Sequence, residues 1–499
     1  MREINIFKLC IILLMIFLFM TGCGSEESDP AVENSGGSPD ETVIEEMTEK
    51  YNYISELAKQ YDFEGYEFKI MVPATEDHMP DSGPALYSSE SLNGEIVNDI
   101  LYTRNQYIED NLNIKINVFA HSPGGLGDTY KSAANSILAN DYAFDLLIPH
   151  TLFGPEQLAV EGYLAEWGNV NTVDFTDEWW DSDAIETFTV AGRELFAVSE
   201  FNFGNLGNTY GMFFNKKFIE SHGLDNPYTL VKNKKWTIDK VLKMTSELYV
   251  DLNGDDKVDK EDQFGYSGSN TGVLLGFMYA ANIKYMNTDT NGVPYYDFVN
   301  EKTNLLIDKM LGLYYNDNRS YIYGNNEIDI FTAMQEERLF LQADKIGEII
   351  KLRDYDVEFG IIPYPLYDEN QEKYLTYVDA WGGVLCLPIN ADDESLQRTG
   401  VILDALSYET MTSVKPKYYE IALKTKYARD DESSEMLDIL YDGILFDLGY
   451  IFCSKLENIW MFCDNINSKT NNFTSKMASI EEKIDTYLSN VYDSITNLD

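Results

Sequence analysis

The sequence predicts an α/β protein whose two lobes are joined by a hinge. Short strand-like apolar stretches alternate with amphipathic helices after residue 66, a second such series follows an extended segment at Tyr210–Asn215, and a long extended stretch over Tyr374–Leu387, broken by Gly382-Gly383, is placed to carry the chain back. Two cored units linked by extended crossings have the geometry of a hinge.

Ahead of the folded part, Arg2 and Lys8 flank the approach to an apolar run from Leu9 to Met20, followed by Thr21-Gly22-Cys23. A run of about a dozen residues suits a signal peptide and falls short of the roughly 20 needed to cross a bilayer as a helix. The segment resembles a bacterial lipoprotein signal, with Met20 where Leu is usual. That resemblance implies removal of residues 1–22, a lipid such as palmitate on Cys23, and anchoring on the extracellular face of the cell membrane. Residues 23–50 then serve as anchor and acidic tether, because Gly24 to Asp40 is Ser, Glu, Asp, Gly and Pro with little to bury. Val43, Ile44, Met47, Tyr51, Ile54, Leu57 and Tyr61 recur at helical spacing and predict a first packed helix.

The body opens with a strand at Phe68–Val72, a helix over Ile96–Leu112 and an alternating strand at Ile114–Phe119. A helix over Asp128–Leu138 leads to a buried strand at Phe144–Ile148. This βαβαβ order implies a parallel sheet with its ligand crevice beyond the carboxyl ends of the strands. Thr75, Glu76 and Asp77 follow the first strand, and His150 and Thr151 the third. Thr189–Val198 reads as a hairpin. The second series begins with a helix face of Ile238, Val241, Leu242, Thr245 and Leu248 behind Trp236-Thr237 and continues with strands near Phe264–Ser267, Leu339–Gln342 and Phe359–Pro363.

Composition excludes some functions. A 44% hydrophobic chain of 499 residues buries substantial cores, and a formal charge of −47 argues against nucleic acid, which needs a basic face. After Cys10 and Cys23, three cysteines remain, Cys386, Cys453 and Cys463, at spacings that match no zinc motif. Cys453 and Cys463 form either a disulfide or buried thiols. Gly265-Tyr266-Ser267-Gly268-Ser269 brings its second Gly too early for a nucleophile elbow, and no His-Glu-x-x-His element exists, so no enzyme is expected.

Asn93–Asn105, the Ala191-Gly192-Arg193-Glu194-Leu195-Phe196 hairpin, Trp236-Thr237-Ile238-Asp239, Lys415–Glu420 and Asp430–Asp438, in that order along the chain, resemble the family 1 extracellular solute-binding proteins of ABC importers. The resemblance implies a type 2 periplasmic-binding fold that closes on a sugar or oligosaccharide and passes it to ABC permease subunits, acting as a monomer. The expected lobes are residues 66–208 with about 384–409, and about 212–378 with 410–495. Two other readings suit a surface lipoprotein: a glycan-degrading enzyme, and a sensor or adhesion protein without a transport role.

Sugars are held by aromatic faces and planar polar groups, which directs attention to Trp381 beside Asp379, to Tyr210, to Asp77 and His150 at strand ends, and to Ser269 in the second lobe. Of the neighbours Trp179 and Trp180, at least one is expected in the core, and Trp236 is expected to staple a helix. Asp251, Asn253, Asp255, Asp259 and Asp262 offer side-chain oxygens at positions one, three, five, nine and twelve of a calcium-type loop, with the Lys257 carbonyl at seven. Asp256 stands where such loops carry Gly, and Asp262 where Glu is commoner. Two readings of the loop stand, a structural Ca2+ site and an acidic solvated turn, and no catalytic cofactor is expected.

Overall fold

The computed structural model describes residues 53–74, 83–120, 128–268, 271–315, 320, 330–348, 355–423, 431–452 and 460–498. Cys23, Asp77, Ser269 and Cys453, with the signal and the whole tether, lie outside the described residues.

The first sheet forms from β1 (Tyr66–Val72), β2 (Ile114–Ala120) and β3 (Leu146–Leu147), parallel and in the order β2-β1-β3. Helix α1 (Ile96–Leu112) and helix α2 (Asp128–Ala139) are the crossovers. The α1 helix starts where the Glu95 carboxylate accepts from the Asn98 N–H, and ends at Asn113, whose left-handed backbone (φ 54°) closes it. Strand β3 is shorter than the Phe144–Ile148 expectation, because beyond Leu147 its backbone pairs singly: Ile148 N–H reaches the Met71 carbonyl at 2.9 Å. Helix α3 (Pro155–Val160) follows, then β4 (Leu164–Ala165).

The second sheet is mixed. Its strands β5 (Tyr210–Asn215), β6 (Phe264–Ser267), β9 (Leu339–Lys345) and β10 (Phe359–Ile362) lie in the order β10-β5-β9-β6. Between them run α4 (Ile238–Thr245), which stops short of Leu248, then α5 (Thr271–Ala280) and a hairpin of β7 (Met286–Thr288) and β8 (Pro294–Tyr296). Trp236 is fully buried ahead of the N-cap Thr237, and its indole N–H donates to the Pro363 carbonyl at 3.1 Å.

The crossings run side by side. Outgoing residues 197–210 and returning residues 377–387 are antiparallel, with Leu385 N–H on the Ala197 carbonyl (2.8 Å), Asp379 N–H on Asn208 (2.9 Å) and Tyr210 N–H on Tyr377 (3.2 Å). The return is not continuously extended, because Ala380–Gly382 forms a single 3-10 turn capped by Asp379. It then enters β11 (Leu387–Pro388), which pairs with β4, and α6 (Asp393–Glu409).

A π-helical turn at Thr410–Val414 connects α6 to α7 (Lys415–Leu423). Buried Arg104 of α1 braces this turn, donating to Thr410 Oγ1 at 3.1 Å and to the Tyr87 carbonyl at 2.6 Å. The last helix, α8 (Glu481–Thr496), packs on both α3 and β8 and so touches elements of both series. No described helix is long and apolar enough to cross a membrane.

Candidate ligand-binding site

Three of the sequence-predicted residues come together beside the paired crossings. His150 follows β3, and the Thr151 N–H bonds the Ala380 carbonyl at 2.9 Å, which ties the strand end to the 3-10 turn. The turn presents Trp381, whose ring meets His150 edge to face with centroids 5.1 Å apart. Asp379 links the third member: one carboxylate oxygen accepts from the Trp381 N–H (3.3 Å) and the other from the Tyr210 hydroxyl (3.3 Å).

Glycine makes this approach feasible. At Gly383 the backbone has φ 69°, and a Cβ would lie 2.7 Å from Ile148 Cγ2. At Gly382 a Cβ would lie 2.2 Å from Asn205 Oδ1. Any larger residue would push the returning strand off the end of β3.

Burial sets the electrostatics. The His150 imidazole is pushed down to about 4, chiefly by desolvation, with Asp379 opposing and Lys345 adding to the shift. Its Nδ1 accepts from the Leu152 N–H at 3.3 Å, so the neutral ring carries its proton on Nε2 as a donor. Tyr210 is held well above the ordinary tyrosine range by burial and by Asp379, so it stays a neutral phenol.

Tyr210 stacks on Tyr377 at 5.0 Å with planes 3° apart, and Tyr377 lies 4.9 Å from Tyr279. Tyr377 donates to the Gly272 carbonyl at 2.8 Å, reaching the first turn of α5. Tyr279 donates to buried Asp447, which also accepts three backbone N–H groups. A small cavity of about 30 Å³ opens against this stack, lined in part by Thr151, Asn205, Tyr377, Asp379, Gly383 and Asp447. Thr151 and Gly382, the chain neighbours of His150 and Trp381, line it. Tyr377 and Lys345 were missed in the sequence. Lys345 pairs with Tyr210 across β9 and β5, a register no local pattern reveals.

The Trp179–Trp180 pair is spoken for. Both indole N–H groups donate to Asp404 Oδ1, at 2.6 and 2.9 Å, and the Tyr53 hydroxyl donates to Oδ2. The two residues border a larger cleft of about 300 Å³ with Asp181, Glu200, Lys415 and Tyr441, but their indole N–H groups are already bonded to Asp404.

In the 251–262 loop, Asp256 adopts φ 61°, the left-handed turn for which Gly is usual. Asp251 accepts from the Gly254 and Asp256 N–H groups, Asp255 from Lys257, and Asp259 from Glu261, while buried Asp262 accepts from Leu252 and Asp259. The loop's acids turn toward its own amides, and among the described residues no group of three His, Cys, Asp or Glu side chains is placed to hold a metal ion. Cys386 and Cys463 are buried free thiols, so Cys463 takes the unpaired alternative.

A parallel sheet, a mixed sheet and paired crossings between them define the bilobed periplasmic-binding-type fold of extracellular solute-binding proteins, and this chain has that fold. No protein-family model matches the sequence, and no curated protein aligns with it. Solved structures do. An ABC substrate-binding protein of Listeria monocytogenes in complex with cycloalternan is similar over 86% of this chain and 98% of its own, at 11% identity and a TM-score of 0.52. The maltose/maltodextrin-binding domain of Bdellovibrio bacteriovorus bound to maltotriose covers 86% and 98%, at 15% identity and 0.50. A family 1 extracellular solute-binding protein of Bifidobacterium longum subsp. infantis covers 86% and 98%, at 11% identity and 0.51.

Proposed function

We propose that this chain is a non-enzymatic receptor that captures a sugar or oligosaccharide between its lobes and delivers it to an ABC permease. The observation that carries the reading is the group formed by His150, Trp381, Asp379 and Tyr210, an imidazole donor, an indole, a carboxylate and a phenol at the hinge of a fold whose solved neighbours include sugar complexes. Aromatic faces and planar polar groups are what sugar recognition uses. Contacts completed only when both lobes meet would favour the closed state, the form offered to the permease. The lobes are residues 66–208 with about 384–409, and about 212–378 with 410–495, in a monomer tethered to the outer face of the membrane through lipidated Cys23. Calorimetry with maltotriose and other oligosaccharides tests capture, and heat with none of them refutes it. Replacing Cys23 by Ser should release the chain from membranes into the medium.

The 251–262 loop is proposed as a structural calcium site. The spacing of its oxygens and the left-handed Asp256 support this. Calcium added to stripped protein should raise the melting temperature, and Asp251→Ala should abolish the rise.

A further inference from the structure

Away from the crossings the two series meet at several places among the described residues, such as Arg104–Thr410 and Phe188–Phe446, and three polar contacts gather around α8 and the Val190–Arg193 turn. Tyr487 of α8 donates its hydroxyl to Glu156, a buried carboxylate in the first turn of α3. The Arg193 guanidinium spans two partners, Glu166 Oε1 at 2.7 Å and the Leu498 carbonyl just beyond α8. The Ala191 N–H donates to the carbonyl of Gly292, in the turn between β7 and β8, at 3.2 Å.

These contacts sit on an apolar seam. Ile484, Leu488, Val491 and Ile495 of α8 share one core with Leu158 and Ala159 of α3 and with Phe298 beside β8. The Phe473 ring lies 5.0 Å from Phe298, which seats the segment leading into α8 on the second series. At Gly162, after α3, a Cβ would lie 2.9 Å from Leu498 Cδ2, so the fit leaves no spare room. The turn is built for the contact: Ala191 and Gly192 both take positive φ (53° and 74°), which points the Ala191 amide outward and returns Arg193 toward α8.

We propose that α8 and the Val190–Arg193 turn form a clasp that holds the lobes together before any solute arrives. Carried by the second lobe, α8 grips the first through Tyr487–Glu156 and Arg193–Leu498, and the β7–β8 turn adds Ala191–Gly292. Parting the lobes on this side breaks the polar contacts and uncovers the apolar seam, so the clasp sets how often the crevice opens. The inference rests on the two-lobed fold and not on the identity of the solute.

Hydrogen exchange on the solute-free, full-length protein tests it. In an Arg193→Ala/Tyr487→Phe double variant the Ala191 amide should exchange at least about tenfold faster than in the parent, while β1 and β2 amides keep their protection, and scattering should report a larger radius of gyration. An unchanged Ala191 rate would overturn the clasp. Equal acceleration in β1 and β2 would also overturn it, since the contacts would then only stabilise the fold. If the double variant does not fold, Tyr487→Phe alone, which removes one oxygen, carries the same comparison with a smaller expected shift.

Discussion

His150 and Trp381 meet edge to face at 5.1 Å, although 230 residues separate them in the sequence. One ring ends a strand of the first sheet and the other stands on the returning crossing, so a change in hinge angle must move their surroundings. Trp381→Ala should therefore weaken capture of a responsive oligosaccharide by roughly tenfold or more, about 1.4 kcal/mol, whereas Trp381→Phe should retain part of it. Calorimetric dissociation constants check this.

The buried imidazole makes stability depend on pH with a definite sign. Folded His150 titrates at about 4, below its ordinary 6.5, so the unfolded chain binds the proton more readily. Its neutral form contributes stability that is fully present above pH 6.5 and is lost as the pH falls toward 4. At 1.36 kcal/mol per unit the contribution is on the order of 3 kcal/mol. Asp181 acts oppositely, since burial raises it to about 6 and protonation relieves its burial over the same window. Melting curves of the parent and of His150→Gln, compared from pH 7 to 4, isolate the histidine: the variant should lose less stability on acidification.

Asp404 holds three donors from two distant segments. Asp404→Leu would leave the buried Trp180 indole N–H without its acceptor, at about 1–3 kcal/mol, and the half-buried Trp179 indole N–H without its acceptor at a smaller cost. Asp404→Asn keeps one acceptor oxygen and should cost less. Chemical denaturation of both variants ranks them, and an equal, small loss would show that the network carries little stability.

Gly383→Ala should lower the melting temperature, because a Cβ would meet Ile148 at 2.7 Å in a left-handed backbone. A Gly312→Ala control, where the nearest atom is 3.7 Å away within a helix, should be neutral or mildly stabilising.

Periodicity made much of the fold legible. The Ile96–Leu112 helix matches its expected limits, and β1, β2, β5, β6 and β10 lie where alternation or apolar runs put them. What escaped depended on pairing across the chain. The end of β3 and the 3-10 turn at Ala380–Gly382 are shaped by bonds to each other, and the fate of Trp179 and Trp180 is decided by an aspartate more than 220 residues away. In the site, aromatic residues next to acids or glycines were visible as His150, Tyr210 and Trp381. Tyr377 was hidden among 35 tyrosines, and Lys345 gains meaning only from its register opposite Tyr210.

The most direct measurement is a melting-temperature screen of parent and Trp381→Ala proteins against sugars, oligosaccharides and peptides, because a ligand bound only by the folded form must raise its stability. The account predicts that at least one carbohydrate raises the parent's melting temperature and that Trp381→Ala removes or sharply reduces the rise. A shift with peptides alone, or a carbohydrate shift that Trp381→Ala leaves intact, would contradict it.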